Sequence, residues 1–369
     1  MIYLTHYKTA ATDCVGLIND IVYPQKVHWF PETYAKAATG MIYPPHKVAE
    51  KALDPAMLKM LREQEVGKTA FILAAGNTHF AGLQQKPYQT EFSYVYKFLP
   101  LTLTQVYAGR IAQQCGAQDH VVTDASACAS SLKVMMDVYT LIAMYGFARV
   151  IVLTVEDGVS NAVLEFFGDS KAVLTADEEA KGIKPSAFDK QNRGFYVGQG
   201  AAFAVFDSWA TVNKTGDKPY AQLSGAYTAS EASTNAIGQL ENGSGFVKAI
   251  EGVFDMSKVK AEDVKIVKTH GTGTISNNIA ELTALQSTLK SFVATSYKQR
   301  IGHTMGASGL LETLLLLGDM RNGVIPEIPN RTESDEVFLS EPISPPPGAV
   351  LSLAAGMGNV YSAAIFKPL

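Results

Sequence analysis

The sequence has few cysteines, the residues that mark structural zinc sites and disulfide frameworks. Of its 369 residues only three are cysteines, Cys14, Cys115 and Cys128, and no two of them form a CxxC pair. This spacing argues against a structural zinc site and against a disulfide framework. We therefore expect three free thiols and no bound metal.

Long apolar runs and an excess of basic residues are also missing. No stretch of about 18 uninterrupted apolar residues occurs, and the first ten residues lack the order of a secretory signal. The net charge of -4 gives no electrostatic reason to expect nucleic acid or an anionic membrane surface as a partner. These absences predict a cytoplasmic protein without a membrane span.

The composition present is that of a folded chain, with 47% hydrophobic and 18% charged residues. Because one hydrophobic core stops growing well below this length, we expect an α/β protein built of two similar halves, residues 1–210 and 211–369. Apolar runs and periodicity predict strands at 70–75, 120–124, 150–155, 198–206, 221–227, 264–269, 350–354 and 361–366. They predict helices at 101–114, 132–144, 245–254, 279–289 and 310–320, and a connector at 207–219.

Cys128 stands between a strand and a long apolar helix, after Ala125, Ser126 and Ala127. At a helix N-terminus the backbone N–H groups and the helix dipole lower the pKa of a thiol. This setting favours a nucleophile, although a small buried residue at a crowded helix start explains a lone cysteine equally simply.

Two histidines occupy comparable settings in the second half of the chain. His270 follows a predicted strand and precedes a loop of glycines and threonines, where the sheet of an α/β protein usually binds ligands. His303 lies in the small-residue segment IGHTMGASG, with Lys298 five positions before it. The loop after His270 is not a phosphate-binding P-loop, because it lacks the Gly-Lys-Ser/Thr ending.

These motifs together resemble those of the β-ketoacyl synthases of fatty acid and polyketide assembly. DASACASSL is similar to the nucleophile motif of that family, THGTGT to its first histidine motif and IGHTMGASG to its second. The resemblance implies the duplicated thiolase-like fold in a layered αβαβα arrangement. It also implies decarboxylative condensation of an acyl-cysteine intermediate with a malonyl thioester.

The resemblance further implies a role for each matching residue. Cys128 would be the nucleophile, and His270 and His303 would donate hydrogen bonds to the enolate oxygen. Lys298 would form a buried pair with Glu281. Thr272 and Thr274 would bind the phosphopantetheine arm of an acyl carrier protein, and Met357 would be the gate and an oxyanion-hole donor.

The sequence also departs from the family pattern. Met357 replaces the usual phenylalanine of the gate, and the chain reaches Cys128 sooner than typical members do. These departures favour a specialised polyketide or polyene pathway, in which the synthase is a homodimer or pairs with a chain-length-factor-like subunit. No cofactor is implied beyond the carrier's phosphopantetheine.

Two other interpretations remain open at this point. A thiolase shares the fold but uses a second cysteine near its C-terminus, and none follows Cys128 here. A non-catalytic partner subunit, similar to a chain-length factor, would have no need for Cys128, His270, His303 and Lys298 together.

Overall fold

The computed structural model describes residues 1–11, 45–76, 104–156, 166–168, 170, 172–174, 176–231, 233, 237–333 and 337–369. Its strands are β1 Ile2–Ala11, β2 Thr69–Ala74, β3 His120–Asp124, β4 Arg149–Glu156, β5 Gly200–Ser208, β6 Ala221–Ser230, β7 Val264–Lys268, β8 Val293–Thr295, β9 Ala349–Gly356 and β10 Val360–Pro368. Its helices are α1 Pro45–Ala52, α2 Pro55–Glu63, α3 Thr104–Gln114, α4 Ser130–Ala143, α5 Ala176–Ala180, α6 Trp209–Thr215, α7 Ser244–Ser257, α8 Ile275–Thr288, α9 Lys298–Ile301 and α10 Ser308–Arg321.

The ten strands form one sheet in the order β3-β2-β4-β5-β1-β6-β10-β9-β7-β8. Within the first five, β2 is parallel to β3 and β4, and β5 is antiparallel to β4 and β1. The last five repeat this pattern from the other edge, because β7 is parallel to β8 and β9, and β10 is antiparallel to β9 and β6. The halves join where Ile2 of β1 pairs with Leu223 of β6.

Side chains of successive strand residues point to opposite faces of the sheet, and this alternation divides the core into layers. In β2, Ile72 packs in a central cluster with α4 and α10, whereas Phe71 packs in an outer cluster with α1, α2 and α3. In the second half, Val350 joins the same central cluster and Leu351 joins a second outer cluster with α7 and α8. The result is the expected αβαβα arrangement, with α4 and α10 between the two halves of the sheet.

The two central helices touch near their N-termini. The Leu310 N–H donates to Ser131 Oγ at 3.0 Å, and a Cβ on Gly309 would lie 2.7 Å from Cβ of Leu132. Because glycine lacks that atom, the helices can approach closely at this point. The first turns of both helices are therefore held side by side.

Some local predictions were wrong. The predicted connector 207–219 contains helix α6, which begins after the N-cap Ser208 and ends at Gly216 in the left-handed conformation. The apolar helix predicted at 132–144 begins at Ser130 and ends at Ala143, and Met144 is 75% exposed. Cys14, Asn77 and the start of the predicted helix 101–114 lie outside the described residues. In the part of the chain described, no helix has the length and apolar character needed to cross a bilayer.

Candidate active site

The predicted motifs meet at one cavity of about 440 Å³. Six of the residues predicted for the site line it, and a further two, Lys298 and Glu281, lie behind its wall with no side-chain exposure. The six lining residues are Cys128, His270, His303, Thr272, Thr274 and Met357. The fold thus brings Cys128 of the first half to His270 and His303 of the second.

Cys128 lies in a tight turn before the central helix α4. Residues Ala127–Ala129 form one 3-10 turn, and Ala127 takes a φ of 48°. Ser130 Oγ donates to the Ala127 carbonyl at 2.6 Å and accepts the Ser126 N–H at 2.8 Å. Left-handed backbone costs a non-glycine residue free energy, so these bonds help to hold the turn that aims Cys128 at the cavity.

The expectation of a lowered pKa for the Cys128 thiol was wrong. Burial raises the pKa of Cys128 to about 12. The charge of Lys298 and the backbone N–H of Cys128 lower that pKa but do not compensate for the lost hydration, and Glu156 adds to the rise. The Cys128 side chain is therefore a protonated thiol at pH 7.

His270 is placed by a loop that Glu281 holds from inside. The N–H of His270 and that of Gly271 donate to the two Glu281 carboxylate oxygens at 2.5 and 2.9 Å, and Asn277 donates at 2.8 Å. Gly271 and Gly273 have φ of 58° and 72°, a conformation that glycine adopts without strain. Glu281 therefore accepts hydrogen bonds from the loop backbone and does not form an ion pair with Lys298.

His303 faces His270 across the cavity. The ring centroids are 5.8 Å apart and the rings nearly perpendicular. His303 Nδ1 lies 2.9 Å from Ser308 Oγ, and Phe195 packs edge-on at 4.9 Å. Burial first, and then the charge of Lys298, lower the pKa of both histidines well below 6.5, so both imidazoles are neutral at pH 7.

The predicted Lys298–Glu281 pair is not formed. Lys298 Nζ lies 2.8 Å from Glu312 Oε1, and Lys268 Nζ lies 3.2 Å from the other Glu312 oxygen. All three side chains are fully buried. The prediction failed because the pairing depends on which elements pack together: Glu281 points to the His270 loop, and Glu312 on α10 reaches the lysines.

Sequence reasoning missed Glu312, Lys268 and Glu156. Glu312 is the one acidic residue among the apolar residues 310–317, and such an isolated charge is a signal that a buried partner exists. Glu156, at the end of β4, accepts the Gly76 N–H at 2.7 Å and the Gly306 N–H at 3.3 Å. It therefore joins the end of β2 to the loop after His303.

The other cavity residues also lie where the motifs place them. The hydroxyls of Thr272 and Thr274 are 3.0 Å apart on the cavity wall. Met357 is half-buried in the β9–β10 turn, beside Gly356. A Cβ on Gly356 would lie 2.8 Å from the Ser126 carbonyl, so this turn packs directly on the turn of Cys128.

Three side chains that could together hold a metal ion do not line this cavity. Ligand atoms of His6, Asp207 and Asp217 are within 4.8 Å of one another. Both Asp207 oxygens are already bonded to the Arg149 guanidinium at 2.7 and 3.0 Å, and one also accepts the Thr5 hydroxyl. Asp207 thus serves as the partner of a buried arginine.

Comparison with known families decides the relationship. The model of the N-terminal domain of β-ketoacyl synthase matches residues 45–209, and that of the C-terminal domain matches residues 220–332. The chain belongs to the β-ketoacyl synthase family. The resemblance predicted from the three motifs is confirmed, and the thiolase interpretation is not supported.

Relatives within this β-ketoacyl synthase family come from two kinds of pathway. The 3-oxoacyl-[acyl-carrier-protein] synthase 2 of Vibrio harveyi is 27% identical over 65% of this chain and 58% of that protein. The oxytetracycline polyketide putative beta-ketoacyl synthase 1 of Streptomyces rimosus is 27% identical over 70% of this chain and 62% of that protein. The chain spans about three fifths of the length of the curated relatives it matches.

Solved structures of the same fold cover the whole chain. A type II PKS acyl-carrier protein in complex with its ketosynthase contains a chain that matches with a TM-score of 0.79 and 17% identity, over 100% of this chain and 99% of that one. A beta-ketoacyl synthase from Burkholderia phymatum matches with a TM-score of 0.77 and 19% identity, over 100% and 99%. The thiolase-like fold is confirmed.

Proposed function

We propose that the chain catalyses the decarboxylative Claisen condensation of an acyl-Cys128 intermediate with a malonyl thioester, in fatty acid or polyketide/polyene chain elongation. The observation that carries this proposal is the meeting of Cys128, His270 and His303 at one cavity, with both imidazoles neutral. A binding module has no need of a thiol facing two neutral imidazoles.

The first step transfers the acyl group to the protein. Sulfur of Cys128 attacks the acyl thioester, a new carbon–sulfur bond forms, and the bond to the carrier thiol breaks. Because burial keeps Cys128 protonated, its proton must leave as sulfur attacks. A neutral imidazole at the cavity can accept the proton and return it to the departing carrier thiolate.

The second step breaks the bond between the malonyl carboxylate and its α-carbon, and carbon dioxide leaves. The electron pair moves into an enolate, whose oxygen accepts hydrogen bonds from His270 and His303. Neutral imidazoles suit this role because each still carries one N–H to donate. The low pKa of both histidines keeps them in that form.

The third step joins the two units. The enolate carbon attacks the carbonyl of acyl-Cys128 and forms the new carbon–carbon bond, and the backbone N–H groups of Cys128 and Met357 stabilise the resulting oxyanion. The oxyanion then collapses, the carbon–sulfur bond breaks, and the Cys128 thiolate takes up one proton from solvent to restore the thiol. The packing of Gly356 on the Cys128 turn supports this arrangement of the two N–H groups. Lys298 acts from behind the wall, through its ion pair with Glu312.

The partners belong to the same proposal. The substrates would be carried on the phosphopantetheine of an acyl carrier protein, with Thr272 and Thr274 on the cavity wall as hydrogen-bonding groups for that arm. The synthase would act in the cytoplasm as a homodimer or with a chain-length-factor-like subunit.

The assignment to a specialised pathway rests on Met357. The division of the chain into halves 1–210 and 211–369 is supported by the repeated strand order.

Mass spectrometry can test the proposal after incubation with an acyl carrier protein that bears an acyl chain. We expect one acyl adduct on Cys128 and none in Cys128→Ala. Cys115→Ala is the matched control, because Cys115 is also a buried free thiol but packs in the outer cluster of α3. Absence of an adduct on Cys128 would instead support the non-catalytic partner subunit.

A further inference from the structure

Lys268 is a buried cation that the mechanism above does not use. It ends strand β7 and has no exposed surface. Its Nζ donates to the Leu353 carbonyl at 2.7 Å and to Glu312 Oε2 at 3.2 Å. A fully buried lysine is rare unless its charge is paired, so its position behind the histidines calls for an explanation.

Two ammonium groups share one carboxylate at this point. Glu312 gives one oxygen to Lys268 and the other to Lys298. When both lysines are charged, the three side chains together carry one excess positive charge. Glu281, on α8, faces the same region and accepts N–H groups of the His270 loop and of Asn277. Its charge, like that of Glu312, raises the pKa of Lys268 against the effect of burial.

The excess charge acts on the two imidazoles. A positive neighbour disfavours the protonated form of histidine. After burial, Lys298 and Lys268 both lower the pKa of His270 and that of His303, with His303 also acting on His270. Burial lowers the pKa of Lys268 itself to about 8 despite Glu312, so Lys268 is mostly charged at pH 7.

Lys268 also touches the element that forms part of the cavity wall. Leu353, whose carbonyl it binds, lies on β9 two residues before Ala355 and three before Gly356. Both of these residues line the cavity. The same ammonium group therefore contacts the charge cluster and the strand that leads to the Cys128 turn.

We propose that Lys268 is a positioning residue of this site. Its ammonium group shares Glu312 with Lys298 and, through the Leu353 carbonyl, holds the strand β9 that leads to the Cys128 turn. Its charge adds to the burial and to the Lys298 charge that disfavour protonated His270 and His303. The consequence for condensation rests on the proposed function, whereas the effect on the histidines does not.

The test compares Lys268→Met, which removes both charge and donor, with Lys268→Gln, which removes the charge but keeps an N–H donor. Lys265→Met is the matched control, because Lys265 lies on the same strand and is half-buried. Histidine titrations are followed by NMR in protein with labelled imidazoles and no substrate, with His270→Gln and His303→Gln used to assign the signals. We expect both midpoints to rise by about one pH unit in both Lys268 variants and to stay unchanged in Lys265→Met.

Midpoints in Lys268→Gln that are no higher than those of the native protein would overturn the proposal. If Lys268→Met does not fold, the histidine midpoints of Lys268→Gln alone decide the test. A second readout is the decarboxylation of malonyl-carrier, whose loss at low pH should shift upward by the same amount. The NMR result stands even if no condensation is found, so failure of this inference and failure of the proposed function are distinguishable.

Discussion

The two turns that open the central helices are built alike and used differently. Ala127–Ala129 precedes α4 and Met305–Ala307 precedes α10, and each is a 3-10 turn followed by a 14-residue helix that begins with serine. The first residue of each turn is a non-glycine with positive φ, 48° at Ala127 and 41° at Met305.

The difference lies in the side chains at equivalent positions. The middle residue is Cys128 in the first turn and Gly306 in the second, where a Cβ would lie 2.2 Å from the Gly76 nitrogen. Four residues after the initial serine stands Val134 in α4 and Glu312 in α10. One turn thus presents a nucleophile, whereas the other permits close packing and its helix holds the buried charges.

The largest expected effect comes from removing the charge of Glu312 in α10, because the equivalent position of α4 is the uncharged Val134. Glu312→Gln leaves two buried ammonium groups without their carboxylate, and we expect the free energy of unfolding to fall by about 3–5 kcal/mol. Denaturant titration measures this change. The triple variant Glu312→Leu, Lys268→Met and Lys298→Met should recover most of the loss, and a loss below about 1 kcal/mol in Glu312→Gln would contradict the charge cluster.

Adding a side chain to the second turn tests its packing role. In Gly306→Ala the new Cβ meets backbone of Gly76, and we expect the free energy of unfolding to fall by about 2–3 kcal/mol. Gly109→Ala is the control, because none of the residues that the structure describes lies within 4 Å of its Cβ position on helix α3, and alanine favours a helix. Equal stability of Gly306→Ala and the native protein would show that the contact is not tight.

The second half should also respond to pH, because its two histidines have a lower pKa in the folded protein than the ordinary 6.5. Below pH 6.5 the unfolded chain binds protons that the folded protein excludes. The free energy of unfolding should therefore decrease by about 1.4 kcal/mol per pH unit for each histidine until the folded pKa is reached. Denaturant titrations between pH 7 and pH 5 measure the slope, and His303→Gln should reduce it by the contribution of one histidine. His6, whose pKa burial also lowers, adds to the slope in every variant.

A smaller effect is expected from the backbone of the first turn. Ala127→Gly relieves left-handed strain but also increases the entropy of the unfolded chain, so we expect a gain of at most about 1 kcal/mol in unfolding free energy. Ala129→Gly, at φ of -91°, should instead lose about 1 kcal/mol. Thermal unfolding of both variants gives the comparison, and equal losses would argue against strain at Ala127.

The smallest effect on stability is expected at the gate beside the first turn. Met357→Phe replaces a flexible side chain by a rigid one at the half-buried cavity wall. We expect stability to change by less than about 0.5 kcal/mol and the distribution of product chain lengths to change, as measured by mass spectrometry of the carrier-bound products. A chain-length profile equal to that of the native protein would contradict a gating role.

The reactive positions and most central strands were predictable, because each depends on a short local pattern. The partners of the buried charges were not, since Lys268 and Glu312 are 44 residues apart and meet only because β7 and α10 pack together. The prediction of a lowered pKa for the Cys128 thiol failed for a related reason. The position of Cys128 before a helix indicates the favourable backbone contribution, but only the folded structure shows the burial that outweighs it.

The central place of β1 has a consequence for synthesis. This strand leaves the ribosome before both of its partners, β5 and β6. The delay is about 200 residues for β5, because Ile2 pairs with Ser208. At about 5–20 residues per second the strand waits roughly 10–40 s for those partners. Until those partners are made, the side chains of β1 that are buried in the folded sheet, such as Ile2 and Leu4, remain exposed in the nascent chain.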